Sequence, residues 1–158
     1  MSWSPLEFGK HRGRTLPQLM FVDPDYFFWL YSLGFLRSNP YLSDESEQIY
    51  SRSRAIRIPT RGGQEMIAEY VVHPRYHKFT RLDVVPASRP AYEDRGVTFK
   101  RSVIDMEFVR QVCNYDKLGY RRFLLDMKMI LFGNRSIRMT RRRCEDFFDN
   151  DANFLIPD

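Results

Sequence analysis

Four basic side chains, Lys10, His11, Arg12 and Arg14, surround two glycines in the stretch Phe8-Gly9-Lys10-His11-Arg12-Gly13-Arg14. Glycines reach backbone angles that other residues avoid, so Gly9 and Gly13 predict a tight turn whose backbone can approach a ligand closely. Free amide donors, three permanent cations and a titratable imidazole are the ingredients of a phosphate contact. The alternative for the same residues is a solvated basic hairpin. The Gly-x-x-x-x-Gly-Lys-Ser/Thr spacing of a P-loop is absent. A second basic group lies near the C-terminal end, where Arg135, Arg138, Arg141, Arg142 and Arg143 make one patch if their loop and helix fold together. Glu145, Asp146 and Asp149 follow closely enough to neutralise part of it.

Catalytic constellations find less support. Asp105-Met106-Glu107 offers the carboxylate pair of a two-metal exonuclease, but no His follows His77, and neither Tyr-x-x-x-Asp nor His-x-x-x-x-Asp spacing appears downstream. Glu65, Glu69 and Asp83 fall in a strand-rich region without the Glu-x-Lys triplet of a restriction-type nuclease. His73 and His77 are four apart, which on a helix suits zinc. Pro74 opposes that helix, and only two distant cysteines, Cys113 and Cys144, could complete the site. No catalytic residue, metal ligand or cofactor is assigned, and the balance leans away from an enzyme.

The 158 residues are 43% hydrophobic and 15% aromatic, enough to bury a sizeable core, and they predict a single domain over 1–158. Against 20 acidic residues stand 25 basic ones, a net charge of +5 that favours phosphate-bearing or acidic partners. Lys is confined to positions 10, 78, 100, 117 and 128, and every other basic residue is Arg. Arg suits bidentate phosphate contacts and stacking on bases, although a genome rich in G and C gives the same bias without function. No charged start with an apolar run opens the chain and no stretch approaches a membrane span, so a cytoplasmic protein with reduced thiols is expected.

The elements that must position these residues predict an α+β fold: a small antiparallel sheet with four to five helices. Residues 3–8 read as an extended strand leading into the turn. Thr15 can cap a short helix over 16–22 with Pro17 in its first turn, and Asp23, Pro24 and Asp25 open a second that runs to about Leu33 before Gly34. Asp44 and Glu47 are spaced as a cap pair for a third helix ending near Arg54. Alternation over 55–58, glycines at 62 and 63 and β-formers over 66–72 predict a hairpin near 55–73, with a third strand near 79–85 and a flexible loop over 86–96. Ser102 and Asp105 then suggest a capping box for a helix carrying Val103, Met106, Val109 and Cys113 on one face. Asp116 starts a longer helix over 117–132 with Leu118, Leu125, Met129 and Phe132 turned inward, and Thr140 caps the last, over 141–149.

The stretch Phe8-Gly9-Lys10-His11-Arg12-Gly13-Arg14-Thr15-Leu16, followed by Asp23-Pro24-Asp25-Tyr26-Phe27-Phe28-Trp29-Leu30, resembles the FGKHKGKTL…DPxYLxWL motif of exodeoxyribonuclease X-like proteins. In that family the motif forms a small region C-terminal to the nuclease domain, and short proteins, some in phages, also carry it. Here Arg replaces Lys at 12 and 14, and Phe28 stands where Leu or Arg is usual. The resemblance covers residues 6–35, about a fifth of the chain. It implies an association with DNA metabolism and brings no catalytic residue with it. Tyr26, Trp29 and Leu30 match the family's hydrophobic helix face, where they pack behind the turn or, in a sharper alternative, offer a platform for stacked bases. The expectation is a non-catalytic, phage-encoded accessory protein that contacts DNA or RNA phosphates through the turn and the arginine cluster. The alternative is a module that binds the acidic surface of a host protein.

Overall fold

Prolines and short polar side chains set the first helices. In the computed structural model, which describes residues 2–60, 62–88, 97–113 and 115–156, Thr15 is the N-cap of α1 (Leu16–Met20) and its backbone N–H donates to Gln18 Oε1 at 3.0 Å. Asp23 caps α2 (Pro24–Ser32), its Oδ1 accepting from the Tyr26 N–H at 3.3 Å with Pro24 at the first helical position. Gly34, at φ +81°, lets the chain turn out of α2. The third helix, α3 (Ser43–Ser53), departs from expectation: Leu42 occupies its N-cap and neither Asp44 nor Glu47 caps it. Asn39 organises the approach instead, accepting from the Tyr41 and Leu42 N–H groups.

Antiparallel strands follow. The central strand β2 (Met66–Val72) pairs with β3 (Phe79–Pro86) on one side and β4 (Val97–Arg101) on the other. The hairpin is therefore β2–β3, and the 55–58 segment is not its first arm. That segment holds β1 (Ile56–Arg57), which pairs with β5 (Val103–Ile104) in a separate two-stranded sheet. Ile56 also bridges Phe154, and the Leu155 N–H donates to the Ala55 carbonyl at 2.9 Å. Long-range backbone pairing, invisible to local alternation, recruits Ile56 and leaves it fully buried. The region expected as one helix from Ser102 divides for a similar reason: Val103 and Ile104 pair with β1 as β5, and only α4 (Phe108–Val112) is helical. Of the expected loop, Pro86 ends β3, and residues 89–96 lie outside the described residues.

Helix α5 (Gly119–Phe132) is rotated from the expected stripe. Leu118, Leu125 and Met129 are exposed, while Phe123, Leu124, Met127 and Asp126 face inward. A carboxylate among apolar neighbours breaks the sequence pattern, and its contacts explain why it is there. Asp126, 2% exposed, accepts the Leu82 backbone N–H at 3.0 Å and pairs with Arg135 at 2.8 Å and Arg122 at 3.1 Å. Asp116, expected as a cap, instead accepts from the Phe79 N–H. Both aspartates thus satisfy amides of β3, an edge strand whose unpaired donors would otherwise be buried against α5.

The last helix, α6 (Arg141–Asp149), starts as expected, with Thr140 Oγ1 accepting from the Arg143 N–H. Its Phe147 and Phe148 pack edge-on at 5.3 Å and meet Phe21 and Phe154, while Tyr70 packs on Phe108 at 4.5 Å from the sheet side. Buried side chains from Trp3 to Phe154 form one contiguous cluster. Among the described residues, six α-helices and two small antiparallel sheets make an α+β fold, and no helix is long and apolar enough to cross a membrane.

Asp126→Ala leaves the Leu82 amide unpaired and two guanidiniums without their carboxylate. A loss of about 2–4 kcal/mol in unfolding free energy by urea titration is expected, with Asp126→Asn falling between it and the native protein. Neither cysteine forms a disulfide, and desolvation pushes the buried Cys144 thiol up to about 12. Raised so far, it stays protonated at neutral pH. A disulfide reagent at pH 8 should therefore titrate no more than one thiol in the native protein and two after denaturation.

Candidate nucleic-acid interface

The Gly-bounded turn is closed by its own backbone. Leu6 donates its N–H to the Arg14 carbonyl and its carbonyl accepts from the Gly13 N–H, both at 2.8 Å. The preceding residues form no strand of a sheet, so these two bonds are what remains of the extended segment expected there. Gly9 and Gly13 lie at φ +75° and +89°. Gly9 is needed twice over, because a Cβ there would overlap the Tyr26 hydroxyl, whereas space around Gly13 is open.

Asp23 draws in two of the four basic side chains. Its Oδ2 accepts from His11 Nε2 at 3.0 Å and lies 3.3 Å from Lys10 Nζ, while Oδ1 caps α2. Arg14 Nη1 donates to His11 Nδ1 at 3.4 Å, which assigns the ring proton to Nε2. Lys10 also sits 5.0 Å from the centre of the Tyr26 ring. The imidazole expected to face a ligand is therefore an internal strut, 13% exposed, and Lys10 is half committed to Asp23. Arg12 Nε is held by the Glu7 carbonyl, but neither Arg12 nor Arg14 pairs with a carboxylate among the described residues.

Behind the turn, the three aromatic-helix residues divide. Tyr26 is half-buried beneath Lys10 and His11 and backs the turn, while Leu30 is buried in the core cluster. Trp29 is 43% exposed and its ring lies beside that of Tyr26 at 5.8 Å. The hollow that Trp29 and Tyr26 line contains Asp23 and Asp25 as well as Lys10 and Arg110. Arg110 is bound to Asp25 at 2.8 Å, so the hollow's charges largely cancel.

At the other end of the chain, Arg141 Nε meets Glu145 Oε2 at 2.9 Å, and Arg142 stands 3.7 Å from Asp146. Arg143 donates to the Arg138 carbonyl. Arg138 and Arg143 have no carboxylate partner among the described residues, whereas Arg135 is taken by Asp126 and leaves the group. The two basic regions come together through Glu145, whose Oε2 accepts from Thr15 Oγ1 at 3.1 Å while holding Arg141. Trp3 Nε1 adds a second tie, to Asp149 at 3.0 Å. One cation escaped the sequence analysis. Among the described residues the Arg57 side chain donates to the Phe154 carbonyl alone, at 3.3 Å, and it shares a groove with Arg142 and Arg143. No local pattern marks it; the β1 pairing puts it there.

The carboxylates and imidazoles weighed for catalysis are mostly occupied. Asp105 accepts from the Glu107 N–H, and Arg54 lies 3.0 Å from Glu107 and 3.7 Å from Asp105, whose carboxyl burial holds above its usual range. His73 Nδ1 accepts from the Arg75 and Tyr76 amides, which makes it a turn former. Glu69 lies directly opposite Asp83 and Lys100 in the sheet register, fully buried and without a hydrogen-bond partner for its carboxylate. Among the described residues, no group of three or more His, Cys, Asp or Glu side chains could hold a metal ion. No family model, curated protein or solved structure matches this chain.

The two glycines give a test of the turn. Gly13→Ala places a Cβ at positive φ in open space and should cost about 1–2 kcal/mol. Gly9→Ala carries the same backbone cost and must also displace Tyr26. Its melting temperature should fall below that of Gly13→Ala by about 3 °C or more in thermal unfolding followed by circular dichroism.

Proposed function

We propose that the protein is a non-catalytic nucleic-acid-associated accessory protein that holds phosphates along the basic turn and the start of α6. The observation that carries this reading is the bridge from Thr15 through Glu145 to Arg141, which joins two basic regions more than a hundred residues apart in sequence. Arg12, Arg14, Arg138 and Arg143 have no carboxylate partner among the described residues and can meet phosphates, and their planar donors suit bidentate contacts. Lys10 and His11 serve mainly to fix the turn through Asp23. The resemblance of residues 6–35 to a region that accompanies an exonuclease favours DNA over RNA and implies a cytoplasmic, phage-encoded protein of DNA metabolism.

Fluorescence anisotropy with a labelled oligonucleotide, repeated across salt concentrations, tests the proposal. Each neutralised phosphate contributes about −0.7 to −0.9 to the slope of log affinity against log salt. Replacing Arg12, Arg14, Arg138 and Arg143 together with Ala should flatten that slope by about two or more and weaken low-salt binding at least tenfold, with an unchanged circular dichroism spectrum. An unchanged slope moves the interface elsewhere. Absence of binding by the native protein at low salt overturns the proposal and leaves these cations to an acidic protein surface.

A further inference from the structure

Resting on that proposal, we infer that the groove between β1 and α6 takes single-stranded nucleic acid in preference to duplex. The groove encloses about 770 Å³, within the range of about 300–1,000 Å³ typical of small-molecule sites. Its cations come from two elements: Arg57 from β1, and Arg142 and Arg143 from α6. Between them lie apolar surfaces, of which Pro59 and Phe132 are partly exposed. This combination of phosphate-binding cations with apolar surface inside one groove is what separates strands by type. A duplex turns its phosphates outward and keeps its bases stacked against each other, so it can touch the mostly exposed Arg142 at the rim but offers no base face to Phe132 or Pro59. A single strand offers both at once.

The groove's walls are held before any ligand arrives. Phe132 packs against Phe21 at 6.4 Å and Phe147 at 6.0 Å, so its ring is fixed from behind. Arg57 sits on a strand pinned by β5 and Phe154, with one donor on the Phe154 carbonyl and the others open. Little ordering is left to be done on binding. Asp146 also lines the groove. Its pairing with Arg142 is long, at 3.7 Å, and both side chains are mostly exposed, so the contact is readily exchanged for a phosphate. The carboxylate left behind opposes the denser charge of a duplex more than that of a single strand.

The test is competition in anisotropy at low salt between a labelled single-stranded oligonucleotide and a hairpin duplex carrying the same bases. The native protein should favour the single strand about tenfold or more, the equivalent of one stacked base. Arg57→Ala, which lies outside the turn and the first turn of α6, should weaken single-strand binding about fivefold or more and change duplex binding less than twofold. Arg57→Gln provides the same comparison if the Ala variant does not fold. Equal affinity of the native protein for the two forms, or an equal loss for both in the Arg57 variants, overturns the groove inference while leaving phosphate association standing. Failure to bind either form overturns both.

Discussion

The Asp23 carboxylate, only about a tenth exposed, holds three donors at once: the Tyr26 amide that starts α2, the His11 imidazole and the Lys10 ammonium. Removing any one would leave the others imperfectly placed, because the cap fixes the carboxylate and the carboxylate fixes the turn. Gly9 follows from the same arrangement. The turn must come close enough to α2 for His11 to reach Asp23, and at that distance Tyr26 leaves no room for a side chain. A basic turn that looks exposed in sequence is thus tied down by an acid twelve residues later, and its free charge is carried by Arg12 and Arg14.

The same division runs through the rest of the fold. Buried or half-buried acids each claim specific arginines: Asp126 takes Arg122 and Arg135, Asp25 takes Arg110, and Glu107 takes Arg54. Such pairs contribute unequally. Exposed ones are worth about 0–1 kcal/mol, whereas Asp126 carries a backbone amide as well and its loss exposes an unsatisfied donor. What remains after this internal pairing is more informative than the net charge of +5. Arg12, Arg14, Arg57, Arg138 and Arg143 have no carboxylate partner among the described residues, and Arg57 and Arg143 share one groove beside α6.

The starts of α1, α2 and α6 were legible in the sequence because their causes are local. Asp23, with Pro24 after it, and Thr140 accept amides three residues on, and at Thr15 the Gln18 side chain accepts the Thr15 amide in turn. Strand partners were not legible, because Ile56 finds Ile104 and Phe154 only when the chain has folded. The stripe on α5 misled for a related reason: Asp126 is polar, yet it faces inward to serve an edge strand far away in sequence. Trp29, the most conspicuous aromatic of the opening motif, stays exposed, and Tyr26 is the ring that backs the turn. The candidate site was half visible. Two runs of basic residues could be read directly, but their adjacency depends on Glu145 and the third wall of the groove on Arg57, and neither stands in a basic run.

Glu145 also shows the compromise in such an interface. By accepting from Thr15 it draws α6 onto the start of α1, and by pairing with Arg141 it withdraws one cation from the surface it helps to assemble. The pair is exposed on its Arg side and so remains exchangeable, while the Thr15 contact, on a fully buried residue, is structural. One carboxylate can therefore hold the two basic regions together in the free protein and still release Arg141 when a phosphate competes for it. The cost to the free protein of that release is that of a surface ion pair, small beside the gain from a charge-assisted contact to phosphate. On the proposed function, a basic patch assembled by an acid combines a contact that holds the fold with a cation that a phosphate can claim.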